Sequence, residues 1–210
     1  MKPLTSRHLQ TSIKRFASAL PVPQEKFNHL VIIAPYGPSC VGKSTVMKYL
    51  AKRIPLVYIQ HDGIRLFFRA KGIDENKYLY KHQVLFRIGE LFLKKGYSVI
   101  LDANFATHHQ HVPAAKKLAK RYRARLFLIR VTAPQSYILR KLKRKKFLPT
   151  NRGGLLPNAR VAIEHFLRSS KQFDYERLMR QTVAVVDSSK PLGSQLKRVI
   201  SLVRKGVQTK

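Results

Sequence analysis

Residues 37–44, Gly-Pro-Ser-Cys-Val-Gly-Lys-Ser, constrain this 210-residue chain more than any other stretch. They match G-x-x-x-x-G-K-[ST], a spacing that lets successive backbone N–H groups turn inward on a phosphate. The glycines supply backbone angles that other residues resist, and a helix behind the loop adds the partial positive charge of its N-terminus. The flanks support this. Leu30–Ala34 is a short run rich in branched aliphatics and reads as a strand, while Ser44–Arg53 carries Val46, Met47 and Leu50 at helical spacing. Gly37, Pro38, Ser39, Cys40, Val41, Gly42, Lys43, Ser44 and Thr45 are therefore the expected nucleotide contacts. Lys43 is placed to reach the β- and γ-phosphates, and Ser44 to ligate Mg²⁺.

Beyond the loop the pattern alternates. Strands are expected at Leu56–Ile59, Val99–Leu101, Arg125–Val131 and Val183–Val186. Helices are expected near Glu75–Lys95, Ala114–Arg123, Pro134–Lys145, Ala159–Ser169, Tyr175–Arg180 and Leu192–Val203, with a Gly/Pro/Asn-rich loop at Pro149–Asn158. Strands alternating with helices imply a parallel sheet covered on both faces, with ligands beyond the carboxyl ends of its strands.

Charge narrows the chemistry. Forty-two Lys and Arg face ten Asp and Glu, a net charge of +32, while 44% apolar residues supply a core. The excess predicts attraction to polyanions: nucleic acid, nucleotide phosphates or an acidic membrane surface. The shortage of acids is more informative. None lies between Ala103 and Ile163, so any chemistry needing a carboxylate has few candidates. Asp102 ends the strand Ser98-Val99-Ile100-Leu101, the setting of an aspartate that holds Mg²⁺. Asp62 follows the second strand in His61-Asp62-Gly63-Ile64-Arg65. There a carboxylate can accept a proton from a substrate hydroxyl, and Arg65 can hold the acceptor's phosphate. Ala103 stands where ATPase motors place a glutamate, and no Asn/Thr-Lys-x-Asp guanine-reading motif follows a later strand.

With Gly37–Ser44, Asp62 with Arg65, Leu101-Asp102-Ala103-Asn104, Arg140 with Arg144, and Val185-Val186-Asp187-Ser188-Ser189, the chain resembles a group of P-loop kinases. These are the kinases related to polynucleotide 5′-hydroxyl kinase, zeta toxins and chloramphenicol phosphotransferase, P-loop NTPases carrying an AAA domain. The resemblance spans about Leu30 to Ile200. It implies an α/β three-layer P-loop NTPase fold with a five-stranded parallel sheet in the order 2-3-1-4-5 and a helical lid. It also implies ATP with Mg²⁺ as cofactors and phosphoryl transfer to a hydroxyl acceptor. Lys43, Asp62 as general base, Arg65 as acceptor-site arginine, and the lid arginines Arg140 and Arg144 would be the catalytic set, with Ser44 and Asp102 on the metal. One departure stands out. Many relatives carry an arginine shortly after the Asp-Ala-Thr/Asn turn, where this chain has Phe105-Ala106-Thr107-His108-His109-Gln110-His111.

On these grounds the chain is expected to divide into a basic N-terminal arm (1–29), a kinase domain (30–205, lid about 134–160) and a short tail (206–210). A nucleic-acid end or nucleotide is the favoured acceptor. A small molecule or nucleotide sugar is the alternative, as is a nucleic-acid-binding ATPase with no acceptor. The histidines at 108, 109 and 111 fit a solvated or phosphate-contacting loop better than zinc. Asp187 fits a cap on the last strand's turn. With one cysteine, no secretory h-region and no apolar run approaching the ~20 residues of a membrane span, a cytoplasmic location is expected. The basic, acid-free first 20 residues also suit a mitochondrial presequence.

Overall fold

The computed structural model describes residues 7–73, 83–106, 110–145, 158–172 and 175–208. Its elements, in chain order, are α1 (Arg7–Ser18), β1 (Val31–Tyr36), α2 (Lys43–Ala51), β2 (Leu56–Gln60), α3 (His61–Ala70), α4 (Gln83–Lys94) and β3 (Ser98–Asp102). There follow α5 (His111–Arg121), β4 (Arg125–Thr132), α6 (Gln135–Arg144), α7 (Ala159–Gln172), a 3₁₀ turn (Glu176–Gln181), β5 (Thr182–Asp187) and α8 (Leu192–Gln208).

The five strands form one parallel sheet in the order β2-β3-β1-β4-β5, as expected. Because side chains alternate along each strand, the sheet has two buried faces. One carries Ile32, Ala34, Val57, Ile59, Val99 and Leu101 toward α1, α3, α4 and α5. The other carries Val31, Ile33, Ile100, Ile129 and Val186 toward α2, α6, α7 and α8. Fully buried central strands explain why β1 and β3 read as unbroken aliphatic runs.

Register sets the functional edge. Asp102 lies beside Gln60, so the end of β3 meets the start of α3, and Asp62 follows within two residues. Thr132 lies beside Asp187 at the other end of the same edge.

Helix α3 stands where no helix was expected, and three further parts of the chain differ from expectation. The stretch expected as an arm contains α1, whose Leu9 and Ile13 are each 1% exposed. Phe16 meets the Phe67 ring of α3 edge-on at 5.3 Å. Leu9, Ile13, Phe16 and Ala17 follow the helical spacing i, i+4, i+7, i+8, masked in sequence by the surrounding Arg7, Lys14 and Arg15. Helix α8 runs through Gln208, into the expected tail. Tyr175–Arg180 contains a 3₁₀ turn rather than an α-helix. Part of the Glu75–Lys95 helix and much of the lid lie outside the described residues.

If α1 is a core element, Leu9→Ala and Ile13→Ala should each destabilise the fold by about 2–4 kcal/mol. Urea denaturation reads the difference; a detached arm would show no change.

Candidate active site

The phosphate loop is held from three sides. Gly37 has φ 143° and lies so near β4 that an added Cβ would stand 2.1 Å from the Val131 carbonyl oxygen. Gly42, with φ 101°, precedes α2, and an added Cβ there would meet Ser188 at 3.3 Å. Ser188, just past β5, donates its hydroxyl to the Val41 carbonyl. Cys40 takes φ 62°, a left-handed conformation that costs a non-glycine residue about 1–2 kcal/mol. Strain of this kind is tolerated only where the surroundings fix the backbone.

Lys43 opens α2 and turns back on the loop, its ammonium donating to the carbonyls of Gly37 (3.0 Å) and Pro38 (2.7 Å). Burial of that ammonium lowers its pKa to about 8, against the opposing pull of Asp102, Cys40 and Asp62. Burial pushes the Cys40 thiol up, so it stays protonated despite Lys145, Lys43 and Lys141 nearby.

Asp102, 5% exposed, forms the other half of the floor. Tyr58 of β2 donates its hydroxyl to Asp102 Oδ2 at 2.5 Å, and the Ser44 hydroxyl lies close to both groups. Burial raises the Asp102 carboxyl, while Tyr58, Ser44 and Lys43 counter the rise. Burial and the neighbouring carboxylate push the Tyr58 phenol far above its usual range, which keeps it a donor. The Ser44 hydroxyl and Asp102 carboxylate are hard oxygen donors next to the phosphate loop, a set that fits Mg²⁺.

Asp62 and Arg65 share the first turns of α3, with Arg65 Nη1 3.9 Å from Asp62 Oδ1. The Asp62 side chain is about half exposed, and its field reaches Lys43, Tyr58 and His165. His165 belongs to α7, which the sequence did not mark as part of the site. Ser169 of α7 accepts from the Ser39 amide of the loop at 3.0 Å, so this helix lies against the loop. One turn earlier, His165 has its pKa lowered by burial and by Arg168, Lys43 and Arg65, with Asp62 opposing. Asn104, just past Asp102, accepts from the Gly37 amide at 3.4 Å.

The structure thus brings Lys43, Ser44, Asp62, Arg65 and Asp102 to one edge of the sheet. Arg140 and Arg144 are exposed on α6; the cations of that helix end whose fields reach Cys40 are Lys141 and Lys145. Thr45 is exposed on α2. His111 is buried, with Phe105 and Phe86 rings 6.0 and 6.5 Å away, while His108 and His109 lie outside the described residues. Among the described residues, no three His, Cys, Asp or Glu gather into a metal-holding group. Asp187 accepts from the Ser189 amide and hydroxyl at 2.9 and 2.6 Å, the turn cap that its position suggested. Tyr58, His165, Arg168 and Ser169 are the site-side residues missed from sequence. Tyr58 is recognised only through register, which puts it on the same sheet face as Asp102, two positions before that residue's neighbour Gln60.

A family model described as an AAA domain matches residues 32–152, more than half of the chain. The chain belongs to this AAA-domain family. The match runs from β1 past α6, so it takes in the phosphate loop, Asp62 with Arg65, and Asp102. No curated protein matches the AAA-domain chain in sequence. Among solved structures, it is similar to the APS kinase CysC of Mycobacterium tuberculosis in complex with AMPPNP and APS, at 18% identity and a TM-score of 0.56, over 83% of this chain and 98% of that one. A gluconokinase from Sinorhizobium meliloti 1021 aligns at 16% identity and a TM-score of 0.52, over 87% and 97%. A chain of the PezAT chromosomal toxin–antitoxin system of Streptococcus pneumoniae aligns at 14% identity and a TM-score of 0.57, over 99% and 97%. At these identities the likeness establishes the fold alone, an α/β P-loop NTPase fold. No helix among the described residues is long and apolar enough to cross a membrane.

Two outcomes follow for the AAA domain. A phosphate anion favours the ammonium form of Lys43, yet above about pH 8 the free protein holds that lysine increasingly neutral. ATP affinity should therefore decline as pH rises past 8, by up to about tenfold per unit, with proton uptake on binding. Calorimetry in buffers of different ionisation enthalpy measures both, and Lys43→Met should flatten the dependence. Gly37→Ala forces the loop away from the Val131 carbonyl, and ATP binding should be lost in the same assay.

Proposed function

We propose that this AAA-domain protein is an ATP- and Mg²⁺-dependent kinase that transfers the γ-phosphoryl group to a hydroxyl acceptor. The observation that carries the reading is the convergence of Lys43, Ser44 and Asp102 with Asp62 and Arg65 at the carboxyl edge of the sheet.

In this reading the loop amides and Lys43 hold the phosphates of ATP in line. Ser44 and Asp102 would hold Mg²⁺, which supplies charge neutralisation on the phosphate oxygens. Asp62, half exposed at the start of α3, takes the acceptor's proton as its oxygen attacks the γ-phosphorus and ADP departs. Arg65, with His165 and Arg168 across from it, holds the acceptor. The exposed basic end of α6, with Arg140 and Arg144 beside Lys141 and Lys145, neutralises charge on the transferring group. Asp62 has no glutamate beside Asp102 to share its role, because Ala103 occupies that position. That favours transfer to an acceptor over transfer to water.

Two acceptor classes fit. Gluconokinase and APS kinase, named for small molecules, share the fold and favour a small hydroxyl compound. The +32 charge favours a nucleic-acid end. Labelled ATP presented with sugars, nucleotides and oligonucleotides separates them. Label found only in inorganic phosphate with every acceptor would point instead to an ATPase.

Asp62→Asn should lower transfer by about 10²–10⁴-fold while ATP affinity stays within a factor of two or so. Near-normal transfer in that variant would remove Asp62 as the base.

A further inference from the structure

We infer that Tyr58 is a positioning residue of the metal site: its hydroxyl pins Asp102 so that the carboxylate meets a cation together with Ser44. This rests on reading Ser44 and Asp102 as the Mg²⁺ ligands and goes beyond it, because Tyr58 belongs to no phosphate-loop or strand-end motif.

The sheet explains how Tyr58 comes to be there. Tyr58 lies beside Ile100 and Gln60 beside Asp102, so alternation puts Tyr58 and Asp102 on one face, the face that α2 covers. A tyrosine is long enough to reach two positions along the neighbouring strand; serine or threonine is not. Its hydroxyl meets Asp102 Oδ2 at 2.5 Å, and the Ser44 hydroxyl lies close to both groups.

An almost fully buried carboxylate cannot rely on water to set its orientation, so its donors do so. With Oδ2 engaged by Tyr58, Asp102 offers a cation one oxygen. A one-oxygen contact suits Mg²⁺, which keeps several waters and demands regular geometry, better than Ca²⁺, which readily takes both oxygens of a carboxylate. Partners of this outer kind commonly change metal affinity 10–100-fold when removed.

Tyr58→Phe keeps the ring and deletes only the donor. Calorimetry of ADP binding to the full chain, with no metal, with Mg²⁺ and with Ca²⁺, reads the effect without turnover. Metal-free ADP affinity should be unchanged, which also reports an intact loop. The gain in affinity that Mg²⁺ confers should fall about tenfold, and the preference for Mg²⁺ over Ca²⁺ should narrow. In an Asp102→Asn background the Tyr58→Phe effect should vanish, because two residues acting through one group are not additive. If Asp102→Asn removes the Mg²⁺ gain but Tyr58→Phe does not, Tyr58 has no such role and the metal site stands. If Asp102→Asn also leaves the gain intact, the metal assignment falls and the role of Tyr58 falls with it.

Discussion

Gly37 rests against the carbonyl of Val131 with no space for a side chain, and much of the molecule is arranged around that contact. β1 delivers the chain to the loop, β4 forms the wall behind it, and Ser188 at the end of β5 closes the far side on Val41 and Gly42. Three neighbouring strands therefore fix one loop. This is how Cys40 comes to hold a left-handed conformation and how Lys43 is turned inward rather than out to solvent. Burial gives this rigidity: β1 and β4 carry side chains into the packed layers on both faces, and β5 is held through Val186 in one of them, so no strand can shift without disturbing a packed layer.

From that fixed loop the polar network spreads outward in short steps. Lys43 senses Asp102, Asp102 is held by Tyr58, and the end of β3 leads through Asn104 back to the Gly37 amide. On the other side Ser39 is tied to Ser169, which brings α7 with His165 and Arg168 across from Asp62 and Arg65. The side with the phosphate loop is thus built on strands and a helix start, and the side with Asp62 and Arg65 on helix surfaces. Strand-borne groups are set by register, whereas those on α7 are set by the packing of Ala162 and Phe166 into the core and by the Ser39 amide.

The parts set by local rules were legible in sequence. The loop was readable because its backbone angles demand glycine at set spacing, and β1 and β3 because fully buried parallel strands are continuous aliphatic runs. Asp102 stood out as an acid closing such a run. What escaped depends on tertiary placement. Helix α1 hid its apolar stripe beneath basic residues, so composition outweighed periodicity. Tyr58 looked like an ordinary strand aromatic until register placed it beside Asp102's strand. His165 and Arg168 sit more than 100 residues from Asp62, and no local signal connects α7 to the loop. The arginines chosen from resemblance, Arg140 and Arg144, are exposed on α6, and the charges of that helix end that reach Cys40 are Lys141 and Lys145.

The imbalance of charge has a structural side that separates fold from function. The surface acids are used locally: Glu90 joins Arg87 and Arg121, Glu164 joins Arg160, and Glu176 joins Arg130. Exposed pairs of this kind contribute only about 0–1 kcal/mol each, so they tie elements together without deciding the fold. Glu90 is the strongest case, held below its usual pKa by Arg121 and Arg87 against the effect of burial. Asp102 differs in kind, since its main contacts are neutral hydroxyls and its charge is kept for the site. The cations that outnumber these acids add nothing to the core and act on whatever anion approaches. Their influence weakens with salt over a distance of about 10 Å at 0.1 M, while the enclosed Lys43–Asp102 pair is screened far less. Salt therefore distinguishes the two kinds of charge: the field of the surface cations is sensitive to it, and that of the enclosed Lys43–Asp102 pair much less so.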